Sequence, residues 1–325
     1  MMTCRFIRLA RPAALLAITF AFIANVATAQ QKPVRILVGL APGGGVDLVS
    51  RLFADKLREA LKQPVIVENR VGASGLIAMD ALRASPADGS VLLFAPSGGI
   101  TLISQTFKNP RFDPFKDVIP VAMVGIVEVV LVVNANVKVG SIAELVAAAK
   151  TDERIRNFGS APGTIPHLSA ALFADAAGIE LVHIPYKGAG QVIVDVLGGV
   201  LSASVVTAGE AVNQQRAGKI RILATFGTNR SPLMPDVPTM TEIGYPIQAN
   251  GWHGFYAPAG TPADVVDRIG RALVAASGAA DVRERLIQSG VDPAGKMSRE
   301  VAEIMRSDYA NWTRAIRLAK LPPQD

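Results

Sequence analysis

Three runs of small residues carry the most specific chemical signal in the chain. Ala41-Pro42-Gly43-Gly44-Gly45-Val46-Asp47 lies between a β-branched stretch and an amphipathic one. Consecutive glycines let the main chain turn sharply and leave its N–H groups open to a ligand, with no Cβ in the way. A helix starting there aims its unpaired amides and positive dipole end into the same space, which makes an anion seat. No Gly-Lys-Ser/Thr follows, so this is not a P-loop, and the spacing does not match the Rossmann fingerprint. A tight turn with Asp47 as a helix cap explains the residues equally well. A carboxylate facing an anion would repel it, so Asp47 is assigned to the loop's own amides, with Gly44, Gly45 and Val46 meeting the ligand.

Gly159-Ser160-Ala161-Pro162-Gly163-Thr164-Ile165-Pro166-His167 repeats the design further along. Ser160 and Thr164 bring hydroxyls, and His167 falls in the first helical turn as a ligand contact or a packing residue. Ser97-Gly98-Gly99 is a third, shorter loop of the same kind. Ligands of open α/β sheets sit at the carboxyl ends of strands, where all three loops are expected. Tyr186 and Lys187, after another strand, line the same space or carry a solvated charge. Trp252 and His253, on a returning crossing, wall the cleft or pack at the hinge, and the packing reading is favoured.

Chemistry beyond binding finds no support in these residues. The histidines are His167, His183 and His253, and the one cysteine is Cys4. There is no His-Glu-x-x-His, no Gly-x-Ser-x-Gly and no zinc-like cluster, so neither catalysis, nor a metal, nor a cofactor is expected. Ser160 and His167 are read as polar pocket walls, because a nucleophile needs a base within hydrogen-bond reach and a third group orienting it.

The elements that must hold these loops follow from periodicity. Strands are expected at Val34–Gly39, Val65–Asn69, Val91–Phe94, Leu181–Ile184, Ala203–Val206 and Ile220–Thr225, with helices between them. The first helix, from Asp47 to Leu61, places Leu48, Leu52, Leu57 and Leu61 on one face. Such alternation argues for βα units and mainly parallel sheets. Val118–Asn134 reads as one long apolar crossing, and Gly251–Ala257 as a return. Beyond Pro262 the chain reads as three helices without strands, expected to pack back on the first lobe. The plan is lobe one from 30–127 plus 252–325, with lobe two, 128–251, inserted through two crossings that act as a hinge. Two sequential domains are the alternative plan.

The first residues read as an export signal: Arg5, Arg8 and Arg11, the apolar stretch Ala13–Ala24, then Ala27-Thr28-Ala29. A stretch of 12 residues is too short to span a bilayer, which takes about 20. Cleavage after Ala29 removes Cys4 and lowers the net charge from +6 to +3, leaving a periplasmic protein expected to be a soluble monomer. No basic stripe suggests nucleic acid.

Taken in order, Pro42-Gly43-Gly44-Gly45-x-Asp47, Val67-Glu68-Asn69-Arg70-x-Gly72-Ala73, Pro86-x-Asp88-Gly89, Gly159-Ser160 with His167-Leu168, Pro185-Tyr186-Lys187-Gly188, Pro235-Asp236-Val237-Pro238-Thr239 and Ala257-Pro258-Ala259-Gly260-Thr261-Pro262 resemble the Bug family. These are extracytoplasmic solute receptors associated with tripartite tricarboxylate transporters. The resemblance implies a type II periplasmic-binding-protein fold of the α/β class, two lobes on a two-strand hinge with the ligand cleft between them. It implies a carboxylate ligand (a mono- or dicarboxylate, an acidic amino acid or an aromatic acid) and membrane permease subunits as partners. Carried onto this sequence, the contacts are Gly44, Gly45, Val46 and Asp47, then Ser97, then Ser160, Ala161, Thr164 and His167. Val46 stands where a hydroxyl residue or proline is common, and Leu76-Ile77 replaces Asn-Ile, so a less polar acid is expected. The same cleft would also serve a sensor that presents its ligand to a membrane receptor kinase.

Overall fold

The computed structural model describes residues 32–108 and 112–323, so the expected export signal lies outside the described residues. The first lobe is built on Val34–Val38 (β1), Gly45–Leu61 (α1), Val65–Asn69 (β2), Leu76–Arg83 (α2) and Val91–Pro96 (β3). β1 lies between β2 and β3 and is parallel to both. Its buried valines and isoleucine meet Val49, Leu52, Phe53 and Leu57 of α1. That helical face differs from the expected one at its first position, because Leu48 is 55% exposed. α1 stops at Lys62, whose left-handed backbone lets its N–H bond the Arg58 carbonyl.

Val118–Asn134 is not one crossing. It divides at Glu128 into Val118–Val127 (β4) and Val129–Asn134 (β5), which belong to different sheets. After β5 come Ile142–Ala149 (α3), Asn157–Ser160 (β6), Ile165–Ala177 (α4), Val182–Pro185 (β7), Ala189–Leu197 (α5), Ala203–Thr207 (β8), Ala208–Arg216 (α6) and Ile220–Thr225 (β9). β5 is the centre of an antiparallel β8-β5-β9 sheet, while β6 and β7 form a parallel pair. Ser204 Oγ donates to the Gly159 carbonyl at 2.7 Å and ties β8 to β6.

The chain returns through Gly251–Pro258 (β10), fully buried and antiparallel to both β3 and β4. The two crossings run side by side: Gly251 pairs with Val127, and the Val129 N–H donates to Asn250 Oδ1 at 3.1 Å. The expectation of mainly parallel sheets is therefore corrected. β-branched runs announce strands but not their direction, and a hinge made of an outgoing and a returning strand has to be antiparallel.

Ala263–Gly278 (α7), Ala280–Gln288 (α8) and Ser298–Leu318 (α9) complete the chain, with a strand the sequence did not suggest, Asp292–Met297 (β11), between the last two. β11 pairs with β4 at the edge of a six-stranded sheet ordered β11-β4-β10-β3-β1-β2. Its sequence, Asp-Pro-Ala-Gly-Lys-Met, has little strand propensity, but an edge position tolerates proline and the register slips between Pro293 and Lys296. α9 departs from the expected packing as well. Val301 and Met305 join Leu93 and Trp252 in the first lobe's core, whereas Trp312 and Ala315 pack with Leu168 and Phe173 of the second. The helix is long enough to cross the junction and is amphipathic throughout, so one apolar face serves two cores. Among the described residues no helix is long and apolar enough to cross a membrane.

Candidate ligand-binding site

The two glycine-containing loops share a sequence and a geometry. Ala41-Pro42-Gly43 precedes α1 and Ala161-Pro162-Gly163 precedes α4. Gly43 has φ +82° and Gly163 φ +72°, the left-handed turn that favours glycine. Four residues on, a side chain reaches back to each: the Gly43 N–H donates to Asp47 Oδ2 at 2.9 Å, and the Gly163 N–H donates to His167 Nδ1 at 3.1 Å. Gly44 and Thr164 are the extended residues before each helix. The N–H groups of Gly45, Val46 and Asp47 in one loop, and of Ile165 and His167 in the other, occupy first-turn positions with no intrahelical partner. Pro166 lacks an N–H, so the second loop offers fewer donors than the first.

The polar side chains of these loops hold the loops themselves. Asp47, 2% exposed, accepts from Arg51 at 2.9 and 3.0 Å and from Asn69 at 2.9 Å in addition to Gly43. Burial alone would raise its carboxyl, but the hydrogen bonds from Arg51, Gly43 and Asn69 hold it down at about 2. Its carboxylate is thus spent inside the loop. Arg51 and Asn69 were missed as site supports by sequence reasoning, although Asn69 lay within a recognised motif. Ser97 is fully buried; its N–H donates to the Trp252 carbonyl at 2.8 Å and its Oγ accepts from the Trp252 N–H at 3.2 Å. Ser97, expected as a ligand contact, pins its loop to the returning crossing, and Gly98 and Gly99 form the loop's accessible part.

In the second lobe, Thr164 Oγ1 donates to the Ala161 carbonyl at 2.7 Å. His183 Nε2 stands 2.8 Å from Ser160 Oγ and 3.0 Å from the Ser160 carbonyl. The His167 and His183 rings stack at 3.8 Å, 17° from parallel. Burial, and then His183, lower His167 to about 4, and burial lowers His183 despite the Ser160 carbonyl. Two neutral rings can stack this closely without charge repulsion. Tyr186 donates to Asp195 Oδ2 at 2.5 Å, which with burial raises its hydroxyl to about 12. Its ring lies over Gly159, where a Cβ would come within 2.6 Å. Tyr186 therefore supports the loop, with its hydroxyl already engaged, while Lys187 is exposed. Apart from Lys187, every polar side chain singled out in these loops already has a partner within the protein.

Of the residues named for the expected apolar bias, Ile77 is the exposed one. Val46 packs partly against the first core and Leu76 is buried, whereas Leu48 and Ile77 are exposed. A fourth segment was not anticipated. Ala73 and Ser74 adopt φ +47° and +55° between Gly72 and Gly75, and the latter closes on Gly39 at the end of β1, where a Cβ would meet Gly75 Cα at 2.7 Å. Consecutive left-handed non-glycine residues, exposed beside the end of β1, are strained in the way functional loops often are.

Adjacency brings the loops together. β1 and β3 are parallel neighbours, so the Gly43–Val46 and Ser97–Gly99 loops leave the same sheet edge. Ile165, at the start of α4, reaches the hinge from the other lobe: its Cδ1 is 3.6 Å from where a Gly98 Cβ would stand and 3.3 Å from that of Gly251.

The family model described as tripartite tricarboxylate transporter family receptor matches residues 49–321. The chain is 33% identical to Protein BugT of Bordetella pertussis over 289 residues, 88% of this chain and 89% of that one. It is similar to the crystal structure of a TctC solute-binding protein from Polaromonas, with a TM-score of 0.81, 27% identity, and 89% of this chain and 99% of that one covered. An R. palustris protein solved with adipate matches with a TM-score of 0.75 and 28% identity, over 90% and 99% of the two chains.

Proposed function

We propose, because the chain belongs to the tripartite tricarboxylate transporter receptor family, that it closes on a small carboxylate in the periplasm and delivers it to the membrane subunits of such a transporter. The observation carrying this reading is the pair of matched Ala-Pro-Gly loops, each braced from four residues on and each opening a helix N-terminus. Gly44, Gly45 and Val46 would hold one carboxylate oxygen set through main-chain N–H groups, and Ile165 and His167 would approach from the other lobe. Each helix end contributes about 0.3–1 kcal/mol to an exposed anion, and more once closure excludes water. Discrimination between acids then depends on length and on the exposed apolar surface of Leu48 and Ile77 rather than on charged side chains. The adipate bound by the R. palustris relative makes a linear dicarboxylate the first candidate.

A thermal-shift panel of mono-, di- and aromatic carboxylates tests the reading. A true ligand at 100-fold its dissociation constant should stabilise the protein by about 2.7 kcal/mol. Failure of every carboxylate to stabilise the folded protein would remove the proposal. Delivery is tested separately, by uptake of the identified acid in cells with and without the receptor gene.

A further inference from the structure

A second opening lies at the hinge, and no residue of the glycine loops is in its lining. It is a cavity of about 360 Å³ lined by both crossings, by β11, by α9 and by the segment after β9. That volume is within the range of small-molecule sites. Its apolar walls are Ile126, Phe226, Trp252 and Ile304, and its polar lining includes the carboxyl groups of Glu128, Asp292 and Asp308.

These acids are unusually placed. Glu128 is 3% exposed and Asp292 6%, and Glu128 Oε2 and Asp292 Oδ1 have no hydrogen-bond partner. Unpaired buried carboxyl oxygens are costly unless something arrives to pair with them. Asp308 accepts from Trp252 Nε1 at 2.8 Å, which fixes the indole as a wall. The two cations lining the cavity are partnered by acids outside its lining: Arg230 with Glu242 at 3.0 Å, and Lys296 with Glu300 at 3.4 Å. Among the described residues no group of three or more histidine, cysteine or acidic side chains is placed to hold a metal ion, and the apolar walls suit an organic group.

The geometry points to this hinge cavity as a second binding site, for a small organic molecule bearing a protonated amine held between Glu128 and Asp292. The alkyl part of such a ligand rests on Trp252 and Ile304, with the ammonium against the Glu128 and Asp292 carboxyl groups that line the cavity. Burial, countered by Asn250 and reinforced by Asp292, raises Glu128 to about 8 in the empty protein. Binding a cation therefore releases a proton, and affinity should rise with pH towards 8.

The test uses the whole mature protein and n-butylamine, with n-butanol and butyrate as uncharged and anionic counterparts of similar size. Butylamine should bind saturably by titration calorimetry, more tightly at pH 8 than at pH 6, whereas butanol and butyrate should not. Glu128→Gln and Asp292→Asn should each weaken it by about tenfold or more, a loss of one partner of a charged pair, while leaving any carboxylate response of the protein within about twofold of wild type. Should Glu128→Gln fail to fold, Asp292→Asn decides. No saturable butylamine binding, equal binding of butanol, or binding unchanged in the folded variants would overturn the assignment.

Discussion

Gly45 is a position where ligand approach can be separated from folding. A Cβ there meets nothing within 4 Å and φ is ordinary, unlike at Gly43. Gly45→Val should leave the unliganded melting temperature nearly unchanged and weaken carboxylate binding by about tenfold or more, because a branched side chain shields the amides it carries. Asp47→Asn should act on the fold. The carboxyl is held at about 2 against an ordinary 3.8, so its stabilisation is present above pH 3.8 and is lost as pH falls towards 2. Urea unfolding at neutral pH should show the variant about 2 kcal/mol less stable, with the difference closing at the acid end. His167 runs the same way over another range. Lowered from 6.5 to about 4, it favours the folded state fully above pH 6.5 and progressively less down to 4. His167→Asn keeps an acceptor for the Gly163 N–H; its stability should therefore lose less than the wild type's between pH 7 and 4.5, by about 2–3 kcal/mol.

Elements were legible where a local pattern fixed them. The first parallel strands, the helices that follow the glycine loops and the long last helix came from periodicity, because each buries one face against a neighbour. β11 was hidden because Asp292–Met297 has no pattern of its own; only the open edge of β4 makes it a strand. The break at Glu128 was hidden because apolar residues continue on both sides of it. The loops that present main-chain donors were readable from their glycines. The bonds that occupy Ser97, Thr164 and Tyr186 were not, since each depends on a partner placed by the fold. α9 offers a test at this scale. Trp312 is 1% exposed in the second lobe's core, so Trp312→Ala should cost about 3–5 kcal/mol by urea unfolding, although it belongs to a helix whose first half packs on the other lobe.

At the scale of the molecule, two lobes share two crossings, a bridging helix and a buried carboxyl at the point where the outgoing crossing changes sheets. The two lobes meet there, since β4 and β10 are paired along their length and β5 leaves them for another sheet. The central claim is that one carboxylate ligand is held by main-chain amides of both lobes. The most direct measurement is amide ¹H–¹⁵N chemical-shift mapping during titration with a stabilising dicarboxylate, adipate first. The account predicts saturable perturbations with one affinity at Gly44, Gly45 and Val46 and at Ile165 and His167 together. Perturbations confined to one lobe, or centred on the hinge cavity with both loops unmoved, would contradict it.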